Sequence, residues 1–369
     1  MVNLLLIGVD SARNLNAQNT DVIIIVSVNK DTKQVSMLSI PRDLWVYIPT
    51  YGWTRINQAH KYGYRHDYPG QGTGLLSRTI EMNFGIPIHH WARVDFQGFT
   101  RVVDALGGVE MTVACPVNLR YMAPTSPDQE EMPLEPGVYH MDGALALRYV
   151  RTRRHGSDFD RARRQQQFLR AVWDQTKNQF KDIDDLIPKI QGLWSALRDS
   201  YETDMDLLDL VPLVPVALEI NPQRVSSFYI GPRETTDWTT AEGARVLLPN
   251  YEKIQRIVAR LYAPPSGSED LAAAEAARIQ VRNGTYRHQL AKIGADQLRW
   301  QGLNIVDTAL ADRPDYKHTQ IVVFNEKPIT LELLAQLLNV KPENILFQPD
   351  PNQSADLLVI LGEDYDPCR

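Results

Sequence analysis

Between Arg148 and Arg164 the chain carries seven arginines against two aspartates, although its formal net charge is −6. Arginine clustered in an acidic chain points to an anion. In an extended segment side chains alternate, which would set Tyr149, Arg151 and Arg153 on one side. His155-Gly156-Ser157 reads as a turn, and Asp158 or Asp160 as the cap of a helix. On that helix Arg161, Arg164 and Gln165 stand at i, i+3 and i+4, one face again, and Phe168, Leu169 and Val172 continue as a buried stripe. Two elements would then aim guanidinium groups at a common point. Guanidinium forks pair with phosphate oxygens, and a pyrophosphate offers oxygens for several of them. The plainer reading is a solvated basic face with aspartate salt bridges. The two faces and the Gly-Ser interruption favour a site.

Two further groups could serve such an anion. Asp10 ends one apolar run and Asp21 opens the next, so in neighbouring strands both carboxylates fall at the same end of a sheet. Hard oxygen ligands of this kind suit Mg²⁺, which takes phosphate oxygens as further ligands. Turn formation and capping are the competing roles. In SIPRD (39–43), Arg42 follows Pro41 at the end of a third run, where open α/β sheets bind ligands. A structural salt bridge with Asp43 is the alternative there. The histidines lack zinc spacing. No nucleophile elbow, Walker loop or dinucleotide fingerprint is present.

The elements that must position these groups are legible as an α/β class. Residues 3–10, 21–29 and 34–40 are apolar runs expected of buried strands, with Asp31-Thr32-Lys33 as a turn. The pattern predicts a helix over 73–84, and a strand then a helix over 90–106, stopped by two glycines. Residues 116–142 read as a loop and GVYHMDG within it as a turn. Helices are expected near 159–180, 183–198, 206–219 and 240–262, with a strand at 225–230. Residues 263–277 read as a linker. Residues 278–369 follow a β-α-β-β-α-β order, a small α+β domain. At 369 residues, 43% hydrophobic and 23% charged, the chain is ordinary globular material. Its acidity argues against non-specific nucleic-acid binding. No run reaches the roughly 20 apolar residues of a membrane span, and no signal peptide is visible. Cys115 and Cys368 either bridge or stay reduced; spacing does not decide between them.

Taken in order, NLLLIGVDS, the Asp21 strand, SIPRDLWV, RINQAHKYG, VDFQGFTRVVDALGGV, HMDGALALRYVRTR and DFDRARRQQQF resemble the LytR-CpsA-Psr family over about residues 3–262. The last hundred residues resemble the carboxy-terminal domain often attached to it. The resemblance implies a catalytic domain over 1–262, built as an α-β-α sandwich with a central mixed sheet. It implies a membrane-anchored enzyme on the extracytoplasmic face of the cell membrane, its single-pass anchor trimmed ahead of Met1. Such enzymes move a glycopolymer from a polyprenyl-pyrophosphate carrier onto peptidoglycan, with Mg²⁺, through a phosphodiester link. Asp10 and Asp21 correspond to the family's acidic pair near the metal. Arg42, Arg151, Arg153, Arg161 and Gln165 correspond to its pyrophosphate-binding set, with Arg164 beside them. Asp10, Asp21, Arg42, Arg151 and Arg153 are the expected catalytic residues. Arg148 and Arg154 depart from the family pattern by adding charge.

The resemblance also implies an apolar tunnel for the lipid tail, expected among helices 73–84, 98–106 and 165–180, whose apolar residues are otherwise plain core. An acceptor hydroxyl would attack the sugar-proximal phosphorus and polyprenyl phosphate would leave. The same residues would serve a pyrophosphatase acting on lipid diphosphates, or a binding protein without turnover.

Overall fold

The computed structural model describes residues 1–9, 19–121, 130–152, 158–179, 201–206, 209, 213–220, 225–263, 272 and 275–368. The helix expected over 183–198 lies outside them, as do Asp10 and Arg153. The chain divides into two compact units. One comprises residues 1–109, 141–220 and 226–264, the other 110–140, 221–225 and 265–369.

The first unit starts with β1 (Val2–Val9), β2 (Thr20–Asn29) and β3 (Gln34–Ser39). β2 turns into β3 where Asn29 accepts from the Asp31 and Thr32 amides and Lys33 takes a left-handed φ of 54°. A hairpin follows, β4 (Trp45–Ile48) and β5 (Gly52–Arg55), then α1 (Gln58–Arg65), α2 (Gln71–Phe84), β6 (His90–Val94) and α3 (Phe96–Ala105). The chain next supplies four strands to the second unit: β7 (Val109–Val113), β8 (Val117–Tyr121), β9 (Glu130–Leu134) and β10 (Gly137–Met141). It returns with α4 (Gly143–Arg151), α5 (Asp158–Gln179), β11 (Tyr201–Thr203), α6 (Leu213–Glu219), β12 (Val225–Tyr229), β13 (Thr235–Thr239), β14 (Arg245–Pro249) and α7 (Tyr251–Tyr262).

The central sheet is mixed, in the order β11-β6-β1-β2-β3-β12. β1 runs antiparallel to β2 and parallel to β6. Its two faces differ. Leu5, Ile7, Ile23, Ile25 and Leu38 are sealed against Leu75, Leu76, Ile80 and Phe84 of α2 and Ile254 and Val258 of α7. Opposing residues of paired strands share a face. Leu4 opposite Val26, and Val22 near the end of β2, therefore belong to the other side, and with Leu6 they are only partly buried. α5 docks on that second side through Gln166, whose amide donates to Ser39 Oγ at 2.8 Å and Phe228 O at 3.0 Å. α2 therefore belongs to the closed core. Leu75, Leu76, Ile80 and Phe84 of the expected helix 73–84 are buried there.

Three other expectations change. Residues 116–142 are strand-rich, with β8 paired to β9 and β10 to β7. Pro116 precedes β8 and Glu135 and Pro136 separate β9 from β10, around buried Leu119, Leu134 and Met141. GVYHM is strand β10, not a turn. The helix expected from 240 begins only at Tyr251, since Arg245–Pro249 pairs with β13.

In the second unit β15 (Ile279–Asn283), α8 (Leu290–Trp300), β16 (Ile305–Leu310), β17 (Gln320–Val323), α9 (Pro328–Leu337), β18 (Ile345–Phe347) and β19 (Leu357–Leu361) form a five-stranded sheet, ordered β16-β15-β19-β17-β18, with two helices. The short β18 is added to the expected order. Cys115 and Cys368 are joined as a disulfide, Cα to Cα 5.4 Å. Beside it Gln289 accepts from the Val138 amide at 2.6 Å and Gln297 donates to Pro367 O at 2.6 Å. The bond thus closes strands β7–β10 onto the C-terminal end.

Candidate pyrophosphate site

The site sits where β2 begins and β3 ends. SIPRD is pinned on both sides. Ile40 N donates to Ile23 O, Leu44 N closes a turn onto Pro41 O, and Asn57 N donates to Arg42 O. The rigid φ of Pro41 restricts the chain as it leaves β3, and Arg42 follows at the strand's end. Its Nη1 donates to Asp21 Oδ1 at 2.5 Å, and its Nε lies 3.4 Å from Asp43 and 3.9 Å from Asp158. Burial opposes the Arg42 charge. The hydrogen bond and charge of Asp21, with Asp43 and Asp158, more than offset this and hold its pKa above the ordinary value.

Asp158 opens α5 and also faces Arg161, 3.6 Å away. Arg161 is 7% exposed. One turn on, Gln165 completes the wall. Asp21, Arg42, Asp158, Arg161, Gln165 and Tyr229 line a single cleft. Burial pushes the Tyr229 hydroxyl up to about 12, so it stays a neutral donor at any physiological pH.

The residues N-terminal to α5 fold differently from the expectation. GALALRYVR is helical, not extended. Asp142 caps α4 by accepting from Leu145 N at 2.8 Å, and Ala, Leu and Arg are strong helix formers. The motif VDALGGV explains how α4 is seated. Asp104 accepts from Gly143 N at 2.7 Å. A Cβ at Gly143 would stand 2.3 Å from Thr100 O, so α3 and α4 approach too closely for any other residue. Gly107 and Gly108, at φ 79° and 86°, then turn the chain away. Along a helix Tyr149 and Arg151 do not share a face. Tyr149 is buried, and Arg151 is exposed with its guanidinium 3.7 Å from the centre of the Phe96 ring.

Arg164 turns away from the cleft wall. Its guanidinium donates to Tyr149 O at 3.1 Å and to Thr152 O, while Gln165 Nε2 donates to Val150 O at 3.2 Å. These are the last carbonyls of α4, which no helix bond satisfies. Burial lowers the Arg164 pKa, only partly offset by Tyr149 and Asp160. Of the residues singled out in sequence, the cleft gathers Asp21, Arg42, Arg161 and Gln165. Arg151 stands on α4, Arg164 binds α4 to α5, and Asp10 and Arg153 lie outside the described residues. Sequence reasoning missed Asp158 as a cleft residue, Tyr229 and the buried Gln166.

Asp21 offers a hard carboxylate at the cleft edge, the kind of donor that Mg²⁺ combines with phosphate oxygens. Among the described residues no group of three His, Cys, Asp or Glu side chains gathers to hold a metal. Among the described residues this donor suits a cation shared with a bound phosphate.

The model of the LytR-CpsA-Psr family matches residues 1–261. The chain belongs to that family. Residues 276–365 match a second model, described as LytR cell envelope-related transcriptional attenuator. The family member polyisoprenyl-teichoic acid–peptidoglycan teichoic acid transferase TagT of Bacillus subtilis is 31% identical over 218 residues, 58% of this chain and 63% of that protein. TagU of Oceanobacillus iheyensis, which carries the same enzyme name, is 34% identical over 215 residues, 58% of this chain and 62% of that protein. The matched part thus spans about three fifths of these relatives. Among solved structures, B. subtilis TagV superimposes with a TM-score of 0.57 at 25% identity, covering 71% of this chain and 98% of that one. A structure titled TagT bound to LIIa-WTA gives 0.54 at 27% identity, covering 70% and 89%. YwtF (TagT) with bound octaprenyl pyrophosphate lipid gives 0.50 at 26%, covering 70% and 88%. Among the described residues no helix of this LytR-CpsA-Psr chain is long and apolar enough to cross a membrane.

Proposed function

We propose that the chain transfers a glycopolymer from a polyprenyl-pyrophosphate carrier to peptidoglycan. The observation that carries this reading is the convergence of Arg42, Arg161 and Gln165 on one cleft at the strand ends of a sheet, beside a face on which Leu4, Leu6, Val22 and Val26 are partly buried and Ile24 and Met37 buried. A diphosphate suits the first feature and a prenyl tail the second. The solved relative with octaprenyl pyrophosphate bound supports the same pairing.

Arg42 and Arg161 would take the diphosphate oxygens, with Arg42 exchanging part of its carboxylate cage for phosphate. Their charge opposes the charge that grows on the leaving phosphate. An acceptor hydroxyl attacks the sugar-proximal phosphorus. A new P–O bond forms as the bond to prenyl phosphate breaks. Asp21 and Asp158 flank the cleft, and a carboxylate there can accept the hydroxyl proton. Mg²⁺ held by Asp21 would add charge neutralisation of the diphosphate. Arg153 and Asp10 remain in the proposed site by family correspondence. The Cys115–Cys368 disulfide favours an oxidising compartment and so supports placement outside the cytoplasmic membrane.

The test is release of prenyl monophosphate from a prenyl-pyrophosphate-linked oligosaccharide. Release that requires added peptidoglycan supports transfer. Release at the same rate in buffer alone would make the chain a pyrophosphatase, and binding without release would make it a carrier-binding protein.

A further inference from the structure

Arg164, Gln165 and Gln166 are successive residues of α5, and each spends side-chain N–H groups on another element. Arg164 Nε donates to Tyr149 O at 3.1 Å and its Nη2 to Thr152 O, while Gln165 Nε2 donates to Val150 O at 3.2 Å. Gln166, fully buried, donates to Ser39 Oγ at 2.8 Å and Phe228 O at 3.0 Å. This turn of α5 is thus tied to the end of α4 on one side and to β3 and β12 on the other. The cleft residues of α5 lie just ahead of it. At about 1.5 Å per residue, Arg161 precedes Arg164 by about 4.5 Å along the helix axis and Asp158 by about 9 Å.

α4 is a firm partner for such a tie. Asp142 caps its start, and Gly143 N donates to Asp104. At its other end Thr152 N closes onto Arg148 O at 3.0 Å, and the carbonyls that follow carry the partial negative charge of a helix end. A guanidinium complements that end, and Arg164 also stands 5.8 Å from the centre of the buried Tyr149 ring. Its Nε–Nη2 edge, the fork that elsewhere pairs with two phosphate oxygens, is spent on two carbonyls. Arg161 is placed differently. It is buried, faces Asp158 at 3.6 Å and lines the cleft, whereas Arg164 does not line it.

We propose that Arg164 is a positioning residue: it binds α4 and not the anion, and by fixing this turn of α5 it holds Arg161 in the cleft with Arg42. This role rests on the diphosphate reading of the cleft. Charge alone does not supply it. The tie needs a planar group that reaches Tyr149 O and Thr152 O together, and an ammonium is a point donor. The turn keeps its bonds through Gln165 and Gln166 when Arg164 is changed. The expected loss of binding is therefore about tenfold, below the roughly hundredfold that a misplacement of about 1 Å can cost a site.

The experiment measures binding of a short-chain prenyl pyrophosphate by calorimetry, well below the Tm of every protein. The proteins are the wild type, Arg164→Met, Arg164→Lys, Arg161→Ala and the double variant Arg161→Ala with Arg164→Met. Met keeps an unbranched stem without donors, and Lys keeps the charge. The expected result is binding about tenfold weaker in Arg164→Met and at least about fivefold weaker in Arg164→Lys. Adding Arg164→Met to Arg161→Ala should cost less than about twofold more, because the residue through which Arg164 acts is already gone. Should Arg164→Met not fold, Arg164→Lys completes the same cycle. A loss of about tenfold in both backgrounds would make Arg164 a second ligand and overturn the role. Wild-type binding by Arg164→Lys would overturn it too, since charge would then suffice. So would a lowered Tm with unchanged binding, which would make the tie structural only. If the wild type itself does not bind prenyl pyrophosphate, the diphosphate reading of the cleft has failed and the positioning role falls with it.

Discussion

Arg42 neutralises three carboxylates before any ligand arrives, so its removal should cost stability as well as binding. Its bond to Asp21 is charged at both ends, and the two side chains are 24% and 25% exposed. A charged hydrogen bond contributes about 1.5–3 kcal/mol. Discounting for partial solvent access leaves about 1–2 kcal/mol. Arg42→Ala also leaves Asp21, Asp43 and Asp158 without their shared cation, which adds repulsion of like charges. We expect a total near 2–3 kcal/mol. For a unit of this size about 2–4 °C is lost per kcal/mol, so Tm should fall by about 5–10 °C. Arg42→Lys should lose roughly half as much, because an ammonium keeps the charge but not the planar fork. The assay is thermal unfolding of the two variants, with Asp21→Ala and the double variant completing a cycle. An Arg42→Ala protein that melts with the wild type, or a cycle without coupling energy, would refute the caged-arginine description.

Three further outcomes follow from the structure. Gln166→Ala removes the donor that ties α5 to β3 and β12, leaving a buried carbonyl and hydroxyl unpaired; a loss of about 2–4 kcal/mol is expected by denaturant titration, with weaker prenyl-pyrophosphate binding as α5 loosens. Cys115→Ser, or reduction of the wild type, opens a link between residues 253 apart and should lower stability by about 2–5 kcal/mol, whereas oxidised and reduced proteins with equal Tm would contradict it. Asp356 is partly desolvated, which alone would raise its pKa, but donors from Arg278 and Asn325 outweigh this and hold it below the ordinary 3.8. A depressed folded-state pKa gives stability that is present above about pH 4 and lost as pH falls through the folded value. Asp356→Asn should therefore flatten the acid limb of a Tm–pH curve, and an unchanged limb would contradict the assignment.

The parts of this fold legible in sequence are those with a strong local signal. β1 to β3 are continuous apolar runs, and α3 stops where two glycines take left-handed φ. The segment up to Thr152 was misleading because Tyr149, Arg151 and Arg153 stand at alternate positions, a pattern that suits a strand. The Asp142 cap and the Ala-Leu composition outweigh it. The region 116–142 hid its strands because ten of its 27 residues are Pro, Asp or Glu, while scattered residues such as Leu119 and Leu134 carry the core. β4 and β5 are four residues each, too short for periodicity to register. In the site, Arg42, Arg161 and Gln165 were visible because each sits in a distinctive motif. Asp158 was read only as a cap, although its place beside Arg42 depends on how α5 crosses the sheet. Arg164 shares a helix face with Arg161 in projection, yet α4 lies close enough to capture its guanidinium. Such contacts between elements distant in sequence leave no periodic trace.

The central claim is that the arginine cleft holds a lipid diphosphate. The direct measurement is binding of a short-chain prenyl pyrophosphate to the wild type, Arg161→Ala and Arg42→Lys by calorimetry, with and without Mg²⁺. Arg161→Ala removes a cleft cation from α5, and Arg42→Lys keeps the charge at the sheet edge. The account predicts binding by the wild type, strengthened by Mg²⁺, about tenfold to a hundredfold weaker in each variant, and no binding of the uncharged prenyl alcohol. Equal binding of alcohol and pyrophosphate, or variants that bind like the wild type, would contradict it.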